Sequence, residues 1–221
     1  KDDVYFLYDC HLTMDSEIEG YSKYLKRKDV NSQGLVKALL KGEDVHRYEP
    51  LCSIRNVLFP YNLSDGRAQL FSEQQIANLF PKGYSYLKEC EDELRGREKG
   101  RLKNDTYWYR YIYPKNLTLF AQKKIVAPEI SLGGNFMFDP NGQYYSTTKI
   151  YGYIKKDSCP YSYIFLLGLL NSSLFWFFIQ RTGYVLRGGY YTFKTNYVSP
   201  FPIPSFETLD KILIDNVEKL V

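Results

Sequence analysis

The sequence predicts an α+β protein: a mixed or antiparallel sheet with a hairpin, one long buried helix and a C-terminal amphipathic helix. Three observations carry this. Short runs of alternating aromatic and apolar residues recur through the middle of the chain, as in TYWYRYIYP and KIYGYIKK. The twenty residues Tyr161–Gln180 are almost wholly apolar. The last segment, ETLDKILIDNVEKLV, repeats apolar residues at a helical period. With 221 residues, 44% hydrophobic and 24% charged, the chain is large enough for a sizeable core and ordinary for a globular protein.

Val4–Leu7 reads as a short strand and Asp15–Lys28 as a helix with a charged face. Leu35, Val36, Leu39 and Leu40 have helix-like spacing that Gly42 ends, and residues 44–48 continue as an extended piece. Ser53–Pro60 is a buried strand closed by its proline. Ser72, followed by Gln75, starts a helix with a capping box, and Pro81 stops it. A second helix carries Tyr84, Leu87 and Leu94 on one face. The alternation of Tyr107, Trp108, Tyr109 and Tyr111 predicts a strand with about half of these rings buried. KKIVAPEISL is another strand, Asp139-Pro140-Asn141-Gly142 turns a β-hairpin, and KIYGYIKK adds a strand. Tyr161–Gln180 has roughly the length of a membrane span. Asn171, Ser172 and Ser173 interrupt it, which favours a helix buried in the protein and no membrane partner. Leu209, Ile212, Leu213, Val217 and Leu220 form the stripe of the terminal helix. Residues 1–34 read as a linker or N-terminal extension and 35–221 as one domain.

Formal net charge is only +4, but it is unevenly spread. Residues 101–200 carry twelve Lys and Arg against four Asp and Glu, with both tryptophans and 24 of the 38 aromatic residues. A basic, aromatic-rich segment suits a polyanion such as nucleic acid; it equally suits a basic solvated face over a tyrosine-rich core. No catalytic, cofactor or metal site is predicted. His11 and His46 stand alone, no Asp-x-Lys or Glu-x-Lys pair occurs, and phosphate-binding glycine motifs are missing. Cys10, Cys52, Cys90 and Cys159 are widely spaced and read as reduced thiols of a cytoplasmic protein.

In order along the chain, LLKGEDVHRYEP, LFPY, FPKGYSYLKECEDELRGRE, TYWYRYIYPKNL, KKIVAPEI, LLGLLNSSLFWFF and LRGGYYTFKTNYVSPFPIP resemble the TaqI-like C-terminal specificity domain. The resemblance runs from about Leu35 to about Ile214. It implies the target-recognition domain of a bacterial DNA adenine-N6 methyltransferase or type IIG restriction-modification enzyme. The partners would be double-stranded DNA and the protein's own upstream methyltransferase domain, which would bind S-adenosylmethionine. Asp139–Gly142 is not that domain's catalytic tetrad, because Asn141 and Gly142 replace its second proline and its aromatic residue. On the resemblance, Lys103, Arg110, Lys115, Lys123, Lys194, Arg97 and Arg101 are expected on DNA phosphates. Arg187, Arg181, Asn196 and Tyr191 are expected at base edges. Arg187–Tyr190 reads as a hinge-like turn after the buried helix, and YVSPFPIP as an extended strap. Half of a type I restriction specificity subunit, a protein-interaction module and a single-strand binder remain alternatives.

Overall fold

The computed structural model describes residues 2–221 and has the helices and antiparallel sheet of an α+β fold. In chain order the strands are β1 (Phe6–Leu12), β2 (Glu17–Ser22), β3 (Arg27–Ser32), β4 (Val36–Leu40), β5 (Asn56–Leu58), β6 (Tyr61–Ser64) and β7 (Arg67–Leu70). The later ones are β8 (Lys124–Pro128), β9 (Ile130–Ser131), β10 (Met137–Asp139), β11 (Tyr144–Ser146), β12 (Ile150–Tyr153) and β13 (Tyr191–Thr192). The helices are α1 (Glu73–Leu79), α2 (Pro81–Glu89), α3 (Glu91–Arg95), α4 (Arg97–Gly100), α5 (Tyr163–Leu170), α6 (Ser173–Thr182), α7 (Thr195–Val198) and α8 (Lys211–Leu220). The chain divides into two compact units.

The first unit takes the chain up to Leu39, Ser53–Ala121 and Gln143–Tyr145. Its main sheet has the order β11-β4-β5-β1-β2-β3. The segment expected as a linker or extension therefore supplies β1, β2 and β3, with β1 between β5 and β2. Asp15–Lys28 is a hairpin rather than a helix. Ile18, Gly20 and Ser22 alternate with Glu17, Glu19 and Tyr21, and Lys28 reaches Glu19 across the strands at 2.9 Å. Charges that suit a solvated helix face suit a two-residue period equally well. Residues 36–40 are a strand for a related reason: a short apolar run fits either period, and pairing with β5 decides it.

Ser72 opens α1 with the predicted capping box. Gln75 N–H donates to Ser72 Oγ at 3.2 Å, and Ser72 N–H donates to Gln75 Oε1 at 2.8 Å. Pro81 ends α1 and opens α2 at its first position. TYWYRYIYP is not a strand. Trp108 and Tyr109 are both buried while Tyr107 and Tyr113 are exposed, so the alternation fails. Side chains do the work of a ladder here. Tyr5 Oη donates to the Tyr109 carbonyl at 2.9 Å, and Tyr111 N–H donates to Tyr61 Oη at 2.8 Å.

The second unit comprises Leu40–Cys52, Gln122–Gly142 and Ser146–Val221. A three-stranded sheet places β8 between β10 and β12, and β13 pairs with β9. The turn at Asp139–Gly142 forms, with Gly142 at φ +62, but its arms part. β10 pairs with β8, whereas β11 neighbours β4, so the segment is a turn and not a hairpin. Beyond the turn, Lys124 of β8 and Asp139 of β10 are register partners, joined at 2.6 Å with both side chains buried.

The long buried helix is two helices, α5 and α6, bent 58° from each other. Asn171 at the break receives Phe136 N–H on Oδ1 at 3.0 Å and donates Nδ2 to the Phe136 carbonyl at 2.9 Å. Ser172 then caps α6 by accepting Phe175 N–H at 3.1 Å. Among the described residues no single helix is long and apolar enough to cross a membrane. The bent pair has the length and composition of a broken span, yet Phe165, Leu167, Phe175 and Ile179 lie in buried clusters of this unit. Asn171→Ala should lower unfolding stability by about 2–4 kcal/mol, because two buried backbone groups of Phe136 lose their partners. Urea denaturation read by circular dichroism measures this, and a loss below about 1 kcal/mol would contradict it.

Asp210 caps α8, accepting Ile212 N–H at 2.8 Å. The helix packs on α5, where a Cβ at Gly168 would fall 2.8 Å from Val221 Cγ2 and 2.9 Å from Val217 Cγ1, so a larger residue there would displace these valines. The buried stripe is Ile214 with half-buried Leu209 and Val217. Ile212, Leu213 and Leu220, expected inward, are exposed.

Candidate nucleic-acid interface

Among the described residues there is no group of three His, Cys, Asp or Glu placed to hold a metal ion. The expected DNA-contacting residues are divided between the two units.

In the first unit Arg97 is removed from the set. It is 6% exposed, and its guanidinium donates to the carbonyls of Leu94, Trp108 and Arg110 at 2.9, 2.8 and 2.9 Å. It also lies over the Tyr5 ring at 5.2 Å. This arginine holds the irregular 107–111 segment, and its burial turns it inward rather than toward a phosphate. Arg110 is half-buried and forks onto Asp105 through Nε at 3.1 Å and Nη2 at 2.9 Å. Tyr107 N–H bonds the same carboxylate at 2.7 Å, and that bond, with Arg110, holds Asp105 below its usual pKa. The charge of Arg110 is therefore offset locally.

Arg101, Lys103 and Lys115 are exposed as expected. Arg101 stacks over exposed Tyr113 at 5.8 Å. Ahead of them α4 is a tight turn and not regular helix, because Glu98, Lys99 and Gly100 are three successive left-handed residues, at φ 51, 61 and 83. Such a turn costs roughly 1–2 kcal/mol for each non-glycine residue.

In the second unit Lys123 is exposed just before β8, and Asn196 is exposed on α7. Lys194 is exposed 4.0 Å from Glu129, a carboxylate that Lys149 approaches at 3.4 Å. Arg181 stands exposed on α6 over the ring of Phe177 at 5.1 Å. Tyr191 is half-buried, its ring edge-on to Trp176 at 5.2 Å, so packing takes most of it.

Arg187 lies on the tip of a hairpin, not on a hinge. Val185 bridges to Tyr191, and Leu186 N–H donates to the Tyr190 carbonyl at 2.6 Å. Gly188 and Gly189, at φ +84 and +80, make the return that L-residues resist. Arg187 and Tyr190 are exposed at this tip, with Tyr184 and Val185 exposed below them. The strap that follows is not extended throughout, since Thr195–Val198 forms α7; Tyr161 Oη then fastens the Pro204 carbonyl at 2.6 Å.

Residues 44–48, expected as an extended piece, instead leave a short 3-10 turn and fold back in a turn at 47–48. His46, Arg47 and Tyr48 are all exposed, and Tyr48 adopts φ +66. The Arg47 guanidinium lies 5.9 Å from the Tyr48 ring centre. No sequence signal announces this, because tyrosine is poorly suited to left-handed backbone.

Residues 37–203 match the family model of the TaqI-like C-terminal specificity domain. The type II methyltransferase M.BanIII of Aneurinibacillus aneurinilyticus is 26% identical over 198 residues, covering 85% of this chain and 32% of that protein. The chain thus spans about a third of that relative's length. Since the family match takes in well over half of its residues, the chain belongs to the TaqI-like C-terminal specificity domain family.

Proposed function

We propose that this chain is the DNA target-recognition domain of a site-specific adenine-N6 methyltransferase in a restriction-modification system. The methyl-donor site, for S-adenosylmethionine, would lie in a catalytic domain upstream. The family match over 37–203 is the observation that carries this reading. The name of the relative, a type II methyltransferase, favours it over half of a type I specificity subunit.

Two kinds of contact divide the work. Arg101, Lys103 and Lys115 in the first unit, and Lys123 and Lys194 in the second, are exposed cations suited to phosphate oxygens. Arg187 at the hairpin tip has a free planar fork, the geometry that reads a guanine edge in the major groove. Arg181 and Asn196 are the other exposed readers, while Tyr191 and Arg110 contribute through the packing they already make. The catalytic domain then extrudes the adenine from the stack.

The test is a gel-shift assay of the full-length protein on a randomised duplex pool at low salt. Binding that falls steeply with salt is expected, and absence of any duplex binding would overturn the reading. Lys103→Ala should weaken all sequences alike and reduce the salt slope by about 1. Arg187→Ala should instead relax choice at one base pair, by about 1–3 kcal/mol of discrimination. Identical sequence profiles for the two variants would defeat this division of labour.

A further inference from the structure

We infer that Arg47 and Tyr48 form a further DNA-contacting element, in which Tyr48 stacks on an unstacked nucleobase and Arg47 meets the neighbouring phosphate. The inference rests on the function proposed above. Its starting point is an unusual residue: a tyrosine at φ +66 that is 61% exposed. Strained backbone persists where surrounding structure enforces it, and it concentrates where a side chain must be presented. Packing does not repay the strain here, because the ring is mostly in solvent.

The enforcing bonds are present. His46 Nε2 bonds the Glu43 carbonyl at 2.9 Å, and Glu49 N–H donates to the His46 carbonyl at 3.4 Å. Arg47 N–H donates to Asn135 Oδ1 at 3.3 Å, and Asn135 Nδ2 donates to Ser131 Oγ at 2.8 Å. Ser131 is the β9 partner of Tyr191. Two side-chain bonds therefore tie this loop to the strand pair from which the Arg187 hairpin projects. The loop offers a flat ring with a cation 5.9 Å from its centre. A flat ring beside a cation suits a ligand that carries both π-faces and negative charge, as a nucleic acid does.

The experiment uses the full-length protein and a fluorescein-labelled duplex that the wild type enriches from a random pool, read by anisotropy. Tyr48→Ala should weaken binding about tenfold without changing the salt slope, while Tyr48→Phe stays within about twofold of wild type. Arg47→Ala should weaken binding and lower the salt slope by about 1. Tyr48→Gly separates presentation from support: it should bind as poorly as Tyr48→Ala yet melt at or above the wild-type temperature. Wild-type affinity in Tyr48→Ala, loss of affinity in Tyr48→Phe, or a lower melting temperature for Tyr48→Gly would overturn the inference. A wild type that binds no duplex would overturn the proposed function with it, which is a different result from a wild type and a Tyr48→Ala variant that bind equally.

Discussion

Asp139→Ala is expected to cost the protein about 3–5 kcal/mol, a large share of the stability of an ordinary domain. The substitution leaves the Lys124 ammonium buried with its carboxylate gone. Burial already pushes the Lys124 amine below its ordinary pKa, and Asp139, 2.6 Å away, pulls it back. Lys124→Ala should be comparably damaging, because it takes the cation from a buried carboxylate. The double replacement Lys124→Met/Asp139→Leu removes both charges and keeps apolar volume, and it should recover most of the loss. Urea unfolding of the three variants gives the answer. Single variants within about 1 kcal/mol of wild type would show that the pair is not buried as described.

The protein should also unfold cooperatively as pH rises from about 10 toward 12. Burial raises the pKa of Tyr86, Tyr109, Tyr111 and Tyr153, and pushes Tyr145 and Cys90 up to about 12. Several of these phenols donate hydrogen bonds that a phenolate cannot make. Tyr86 Oη donates to the Val4 carbonyl at 2.8 Å, Tyr109 Oη to Phe71 at 2.7 Å and Tyr153 Oη to Phe193 at 2.6 Å. The sign follows from the proton count. An unfolded tyrosine ionises near pH 10 and an unfolded cysteine near 8.5, while the folded groups hold their protons to higher pH. Their contribution is therefore complete below those unfolded values and is lost as pH rises toward the folded ones. Each group removes about 1.4 kcal/mol per pH unit, and several acting together exhaust a stability of 5–15 kcal/mol within about two units above pH 10. Exposed tyrosines should ionise first, and the remaining phenolate absorbance should rise together with the loss of circular dichroism. Ionisation of all 22 tyrosines near pH 10 with the circular dichroism intact would refute this.

Local chemistry in the sequence was legible where it is self-contained. The Ser72 capping box needs only Ser72 and Gln75, and the α8 cap only Asp210 and the backbone that follows. Elements decided by distant partners were not. Residues 17–32 and 36–40 become strands through pairing with β1 and β5, and neighbouring residues do not record that. The twenty apolar residues gave no hint that Asn171 would turn aside to clasp Phe136, which is 35 positions away in sequence. The same limit governs the site. Arg97 and Arg187 look alike as letters near glycine. One is consumed by three carbonyls of the 94–110 segment, and the other is lifted clear by two left-handed glycines. Tyr48 was invisible because its importance lies in a backbone angle.

The position of β1 bears on where this protein can be cut. The family match begins at residue 37, but the strand between β5 and β2 is Phe6–Leu12. A chain trimmed to the matched residues would lose β1, β2 and β3, half of its largest sheet. β5 would then be left with a raw, apolar edge containing Val57 and Leu58, ready to pair with other copies. The segment that defines the family by resemblance is smaller than the segment that folds, and an expressible fragment must start before Phe6.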